Sequence, residues 1–225
     1  MKRVKLLCAA AAMAVMTTFT ACNSDNEPMP KTFTDFATLT ATTYTSMIFE
    51  VQKDTESEPV DLVWNTTSVN PAAYHVGDRF VITYSNESEK QYVAGPIEVY
   101  YLIGAFTSDI IKAPAKEIAD YVGGDEKVEY YECVGKWLNI QVLARVDSKP
   151  KTLVLFVDET TVNDPYPNVF LGFESDNSTA YYQRRMFGSY DLTPLFSLST
   201  CKGINFYFNN STKPVVIENS IKTIK

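Results

Sequence analysis

The stretch Trp137-Leu138-Asn139-Ile140-Gln141-Val142-Leu143-Ala144 decides the fold class. Leu138, Ile140, Val142 and Ala144 alternate with Trp137, Asn139 and Gln141. Neighbouring side chains of an extended strand point to opposite faces, so this spacing predicts a strand with one apolar face. The pattern recurs outward in both directions. Upstream, Met47, Phe49 and Val51 share a face, and Gly77-Asp78 opens a run from Arg79 to Tyr84. Ile97, Val99, Tyr101 and Ile103 alternate with Glu98, Tyr100 and Leu102. Downstream, Leu153 to Val157 is continuously apolar, as expected of a strand buried on both faces. Val169, Leu171 and Phe173 form another set, and Ile204, Phe206 and Phe208 a further one. Short runs rich in β-formers, broken by polar clusters, predict an all-β protein of sandwich or barrel type. One short helix is expected. It starts at Pro114, carries Ile118, Tyr121 and Val122 on one side, and stops at Gly123-Gly124. A boundary near 124 then separates two β bodies, 33–124 and 125–225, each of plausible domain size.

The chain has 225 residues, of which 45% are hydrophobic and 21% charged, which fits an ordinary folded protein. Its formal charge of −7 argues against a nucleic-acid partner, which needs clustered Lys and Arg. The one histidine, His75, excludes any site built from several.

Residues 1–21 read as a signal peptide. Lys2, Arg3 and Lys5 precede an uncharged stretch from Leu6 to Phe19, and Phe19-Thr20-Ala21-Cys22 closes it. The stretch is short for a membrane span, which needs ~20 apolar residues. The segment resembles a bacterial lipobox, which implies acyl chains on Cys22. A plain signal peptide with an incidental cysteine, or an uncleaved anchor, is the alternative. Removing residues 1–21 takes away three positive charges and leaves 17 Lys and Arg against 27 Asp and Glu, a net of −10. Such a surface repels anionic headgroups, so membrane attachment falls to the acyl chains. Residues 22–32 read as a polar, Pro-bearing tether. Its Ser24-Asp25-Asn26-Glu27 resembles the export signals of Bacteroides-type lipoproteins, implying the outer membrane, on the periplasmic or cell-surface face.

The layout resembles the NigD-like lipoproteins of Bacteroidetes. The resemblance rests on the lipobox cysteine and acidic tether, Val76-Gly77-Asp78-Arg79-Phe80-Val81-Ile82-Thr83-Tyr84, Pro96-Ile97-Glu98-Val99 and Ile110-Ile111-Lys112. In the second half it rests on Trp137-Leu138-Asn139-Ile140-Gln141-Val142 and on Tyr181-Tyr182 through Met186-Phe187-Gly188-Ser189-Tyr190-Asp191-Leu192. It implies an N-terminal OB-like barrel followed by a C-terminal immunoglobulin-like β-sandwich, in a family with no assigned biochemical role. Two departures stand out. Lys151-Thr152 occupies a place where a histidine is expected, and no histidine accompanies Glu174 to Asn177.

Cys133 and Cys201 remain after Cys8 and Cys22 are set aside. In an oxidising compartment they form either a disulfide or two separate buried thiols. With one histidine at an unrelated spacing they make no zinc site. His75 beside the Gly77-Asp78 turn lacks a nucleophile motif and reads as a loop residue. Asp54, Glu56, Glu58 and Asp61 offer paired carboxylates of the kind glycosidases use, but a solvated loop explains them better. Asp158, Glu159, Asp164, Asp176 and Asn177 offer oxygen ligands for Ca²⁺ without EF-hand spacing. No catalytic residue, metal or cofactor is therefore assigned. Tyr100, Tyr131, Trp137, Tyr182 and Tyr207 are the candidate partner-binding aromatics, weighed against cross-strand packing. The expectation is a non-enzymatic envelope lipoprotein that binds a glycan or a protein. The alternatives are an accessory subunit of a surface assembly and a carboxylate-based hydrolase.

Overall fold

The computed structural model describes residues 30–66, 70, 73–122, 126–146, 152–174 and 182–219. The signal peptide, Cys22, most of the tether, Gly123-Gly124, Lys151, Asp176, Asn177 and Tyr181 lie outside the described residues. The chain is all-β, in two bodies. Among the described residues, no helix is long and apolar enough to cross a membrane.

The first body is a closed barrel of β1 (Phe33–Thr42), β2 (Ser46–Val51), β3 (Val60–Asn65), β4 (Arg79–Ser85) and β5 (Gly95–Gly104), in the order β1-β2-β3-β5-β4. Its core is the apolar half of each alternating run: Leu39 from β1, Met47 and Phe49 from β2, Leu62 from β3, Phe80, Ile82 and Tyr84 from β4. In β5 the expected alternation fails at Tyr100. Thr83 pairs with Tyr101 and Tyr84 with Val99, so Tyr100 is an extra residue in a bulge. A bulge reverses the phase of the strand beyond it. Val99 and Leu102 therefore pack on the core, while Tyr101 and Ile103 point to water, 61% and 42% exposed. The expected set Ile97, Val99, Tyr101 and Ile103 does not share one face.

The second body contains β6 (Ile111–Ala113), α1 (Ala115–Ile118), β7 (Lys127–Val134), β8 (Trp137–Val146), β9 (Thr152–Asp158), β10 (Asn168–Glu174), β11 (Tyr182–Asp191), α2 (Thr193–Phe196), β12 (Gly203–Tyr207) and β13 (Val215–Glu218). They form a five-stranded sheet, β13-β12-β10-β9-β6, and a three-stranded sheet, β11-β8-β7. Both sheets contribute to one core, with Leu138, Ile140, Val142 and Ala144 meeting Leu153, Leu155, Val157, Val169 and Phe206. The continuous run of β9 is buried on both sides. Leu153, Leu155 and Val157 face that core, while Val154 and Phe156 face Ala113 and Ile118 at α1. Gly172 on neighbouring β10 is needed there, because a Cβ would stand 2.7 Å from the Phe156 ring and 3.1 Å from Tyr121.

The expected boundary at 124 does not match the strand pairing. Ile111, Lys112 and Ala113 pair in parallel with Phe156, Val157 and Asp158, so β6 and the helix after it belong to the second body. The reason is tertiary: a three-residue strand carries no local signal, and its partner lies more than 40 residues downstream. The connecting segment is itself pinned. The Phe106 N–H donates to the Phe187 carbonyl at 2.7 Å, and the Ser189 N–H donates to the Phe106 carbonyl at 2.9 Å.

Candidate functional site

Among the described residues, the buried polar side chains Asp35, Arg79, Asn139 and Ser189 gather at the seam where the barrel meets β7 and β8. β1 pairs with β2 only from Thr38 onward, so its first half pairs with β4 alone and leaves the wall open on the β2 side. The three-stranded sheet covers that opening. A cleft of about 40 Å³ remains, lined among others by Asp35, Glu50, Arg79, Tyr92, Glu132 and Trp137.

Arg79 projects from the outer face of β4 into the seam and is 6% exposed. Its Nη1 donates to Thr38 Oγ1 at 2.7 Å, within the barrel. Its Nε donates to Ser189 Oγ at 2.9 Å and its Nη2 to Asn139 Oδ1 at 3.0 Å, both across the seam. Ser189 Oγ donates in turn to Asn139 Oδ1 at 2.7 Å. The guanidinium lies over the Trp137 ring, 4.5 Å from its centroid. Burial pulls its pKa down to about 10, opposed by the charges of Glu132 and Glu50. It stays cationic at neutral pH.

Asp35 is the second buried charge. It points inward from β1 and accepts hydrogen bonds from Tyr84 Oη at 2.9 Å and Gln91 Nε2 at 2.7 Å. Burial raises its pKa above the ordinary carboxylate value; the bonds from Tyr84, Tyr92 and Gln91 pull the other way, and Glu132 adds to the rise. Glu132 accepts from Tyr130 Oη at 2.6 Å and from Asn139 Nδ2 at 3.1 Å. A further link joins the bodies at the β7–β8 turn, where the Gly135 N–H donates to Thr55 Oγ1 at 3.0 Å.

Three carboxylates therefore approach one cleft, which is the arrangement a hydrolase would need. Two facts describe how that cleft is filled. Asp35 and Glu132 are held by tyrosine, glutamine and asparagine donors. The cleft has room for a few waters, at ~10–15 Å³ each by this measure, and not for a sugar ring.

The five candidate aromatics are not gathered into one patch. Tyr100, at the bulge, bonds to Ser85 and donates to Glu98, each at 3.1 Å. Tyr131 packs on Phe206 and Phe208 at the core between the two sheets. Trp137 is committed to the seam, with Arg79 over its ring and Lys136 Nζ 4.7 Å from its centroid. Tyr182 opens β11 and is exposed. Tyr207 stacks on Phe170 at 4.7 Å with an interplanar angle of 13°. These two are directly opposed cross-strand neighbours. Rings stacked across strands stand upright on the sheet, so one face of Tyr207 is covered by its neighbour and its edge meets the solvent.

Of the two arrangements open to Cys133 and Cys201, the structure shows two separate thiols with no bridge between them. Cys133 is on β7 in the three-stranded sheet, whereas Cys201 precedes β12 in the five-stranded one. Each Sγ faces the carbonyl two residues onward in its own turn, Gly135 at 3.9 Å and Gly203 at 3.3 Å. His75 has an 85% exposed side chain, with Nδ1 3.7 Å from Asp78, in the turn before β4. Asp54 shapes its loop by accepting from Ser57 Oγ and from the N–H groups of Glu56 and Ser57. Asp158 does the same for Thr160. Among the described residues, no three His, Cys, Asp or Glu are placed to hold a metal ion. Arg79, Asp35, Asn139 and Ser189 escaped the sequence reading. The available signal was a charge at the head of an apolar strand (Arg79) and another inside one (Asp35).

No protein-family model matches the sequence, and no curated protein matches it. Solved structures do. A Bacteroides vulgatus protein of unknown function superposes with a TM-score of 0.64 at 16% identity, over 83% of this chain and 90% of that one. A protein described as toxin-related, from Parabacteroides distasonis, gives 0.59 at 14% identity, over 83% and 92%. A NigD-like immunity protein from Bacteroides caccae gives 0.58 at 19% identity, over 86% and 93%. The chain thus shares the overall fold of a NigD-like immunity protein, of a toxin-related protein and of a protein of unknown function from Bacteroides and Parabacteroides.

Proposed function

We propose that this chain is a non-enzymatic lipoprotein of the cell envelope, anchored through acyl chains on Cys22, whose folded part holds a protein partner. The observation that carries this reading is the outer face of β5, where Tyr101 and Ile103 stand 61% and 42% exposed. Clustered aromatic and aliphatic side chains facing water are the usual core of a protein–protein contact. The names "immunity protein" and "toxin-related" on similarly folded proteins point the same way. A glycan platform fits less well, because one ring face each of Trp137 and Tyr207 is occupied, by Arg79 and Phe170. The second body is read as an immunoglobulin-like variant in which two strand pairs, β6–β9 and β10–β12, run parallel. The outer membrane is the proposed location.

Photo-crosslinking of the native lipoprotein in intact envelopes tests the partner. A crosslinker at position 101 should give a discrete adduct that the same group at Glu56, in the loop between β2 and β3, does not give. No adduct at 101 contradicts the reading. Palmitate labelling that survives Cys22→Ala would remove the anchor from it.

A further inference from the structure

We infer that the free edge of β5, from Tyr101 to Gly104, takes up an extended strand from a protein partner with an apolar centre and Lys or Arg toward its ends. This names the mode of contact within the protein-binding reading above and rests on it. β5 pairs with β3 only at Gly95, Pro96 and Ile97. From Glu98 to Gly104 it pairs with β4 on one side, and among the described residues no strand lies on the other. Beyond the bulge the strand is regular, with Tyr101, Leu102, Ile103 and Gly104 opposite Thr83, Ile82, Val81 and Phe80. An open edge presents backbone donors and acceptors in the register that an added strand satisfies.

Edges of this kind are ordinarily blunted by charge, proline or a bulge. Here Pro96 lies before the open stretch, Glu98 and the Tyr100 bulge occupy its start, and from Val99 to Ser108 the sequence carries no charge at all. The side chains on the outer face are Tyr101 and Ile103, an aromatic and a β-branched residue, which make favourable pairs with an incoming strand. Glu98, which is exposed, stands at the start of the stretch, and the whole chain is acidic at −7. An apolar stretch set in an acidic surface defines the complement. The edge stops at Gly104 because the Ala105 N–H is taken by the Arg79 carbonyl and Phe106 joins β11. Four residues of pairing span ~13 Å.

The test uses the full lipoprotein in detergent micelles with two blocked peptides, Lys-Lys-Val-Thr-Val-Thr-Val-Lys-Lys and its counterpart with Glu for every Lys. The Lys-ended peptide should slow amide exchange across residues 101–104 by about tenfold or more at saturation, and bind more weakly as salt rises. The Glu-ended peptide should give no such protection. Tyr101→Lys with Ile103→Lys should abolish the protection while exchange in β1 and β2 stays unchanged, which shows that the barrel is intact. Protection elsewhere, or none, overturns the inference. So does protection of 101–104 by a second copy of the chain without peptide, seen as a dimer by ultracentrifugation. If the double variant still forms the crosslinked adduct from a probe at position 83, the edge is wrong while protein binding stands. If neither chain forms an adduct, the protein-binding reading itself fails.

Discussion

Arg79 and Tyr101 lie on adjacent strands of one barrel and project from the same outer surface, yet the arginine is 6% exposed and the tyrosine 61%. Chemistry alone would assign them the other way round. What differs is the cover. The three-stranded sheet lies over the outer face of β4 and β1, where Phe36 meets Phe187 at 6.1 Å and Arg79 meets Asn139 and Ser189. Among the described residues, nothing covers the outer face of β5 in this way. A charge tolerates burial when its donors meet acceptors and its plane meets an aromatic ring. An apolar side chain left in water marks a place where the fold has not supplied its own cover.

That contrast can be broken at the arginine first. Arg79→Met should destabilise the protein by about 2–3 kcal/mol, because it removes the donors that Thr38, Asn139 and Ser189 meet at the buried seam. Denaturant unfolding of the wild type should be one transition, and that of the variant two, as barrel and second body lose their joint. Trp137→Leu should cost about 1–2 kcal/mol, the worth of a desolvated cation–ring contact, without splitting the transition.

Asp35 sharpens the comparison through pH. Burial raises its native pKa above the unfolded value, so the native state binds the proton more readily. This group therefore adds stability as pH falls from neutral through its native pKa, and the gain is complete at the ordinary carboxylate value. Asp54, Glu129 and Asp191 have lowered values and act in the opposite sense as pH falls through theirs. The difference between wild type and Asp35→Asn, followed by thermal melts across acidic pH, isolates the Asp35 slope. Equal slopes would mean that Asp35 titrates as it does in the unfolded chain. The smallest effect belongs to the exposed strand: Tyr101→Ser should change stability by no more than about 0.5 kcal/mol, read from the same melts.

Strands were legible wherever one face of an alternating run met a core. β8 reads correctly from Leu138 to Ala144, and β9 declares its double burial through five consecutive apolar residues. Periodicity cannot register a bulge, since Tyr100 looks like any other member of the run until its partner strand is known. β6 was equally invisible, because three residues next to a proline hold no pattern and the pairing comes from β9. The seam was the least legible part. Thr38, Arg79, Asn139 and Ser189 are unremarkable in isolation and gain meaning from contacts 41 to 110 residues apart in sequence. The choice between bridge and separate thiols stayed open for a related reason: an even count says nothing about which sheet each cysteine joins.

The barrel is drawn from one unbroken stretch, 33–104, whereas the second body sets β6 beside β9 and is completed only by β12 and β13. During synthesis the early half can close while the later half is still a loose coil, since its pairings span long loops. In that interval Arg79 is hydrated like any surface arginine. Its dry environment arrives with β8 and β11, so the last long strands to emerge decide the fate of a charge laid down near the beginning.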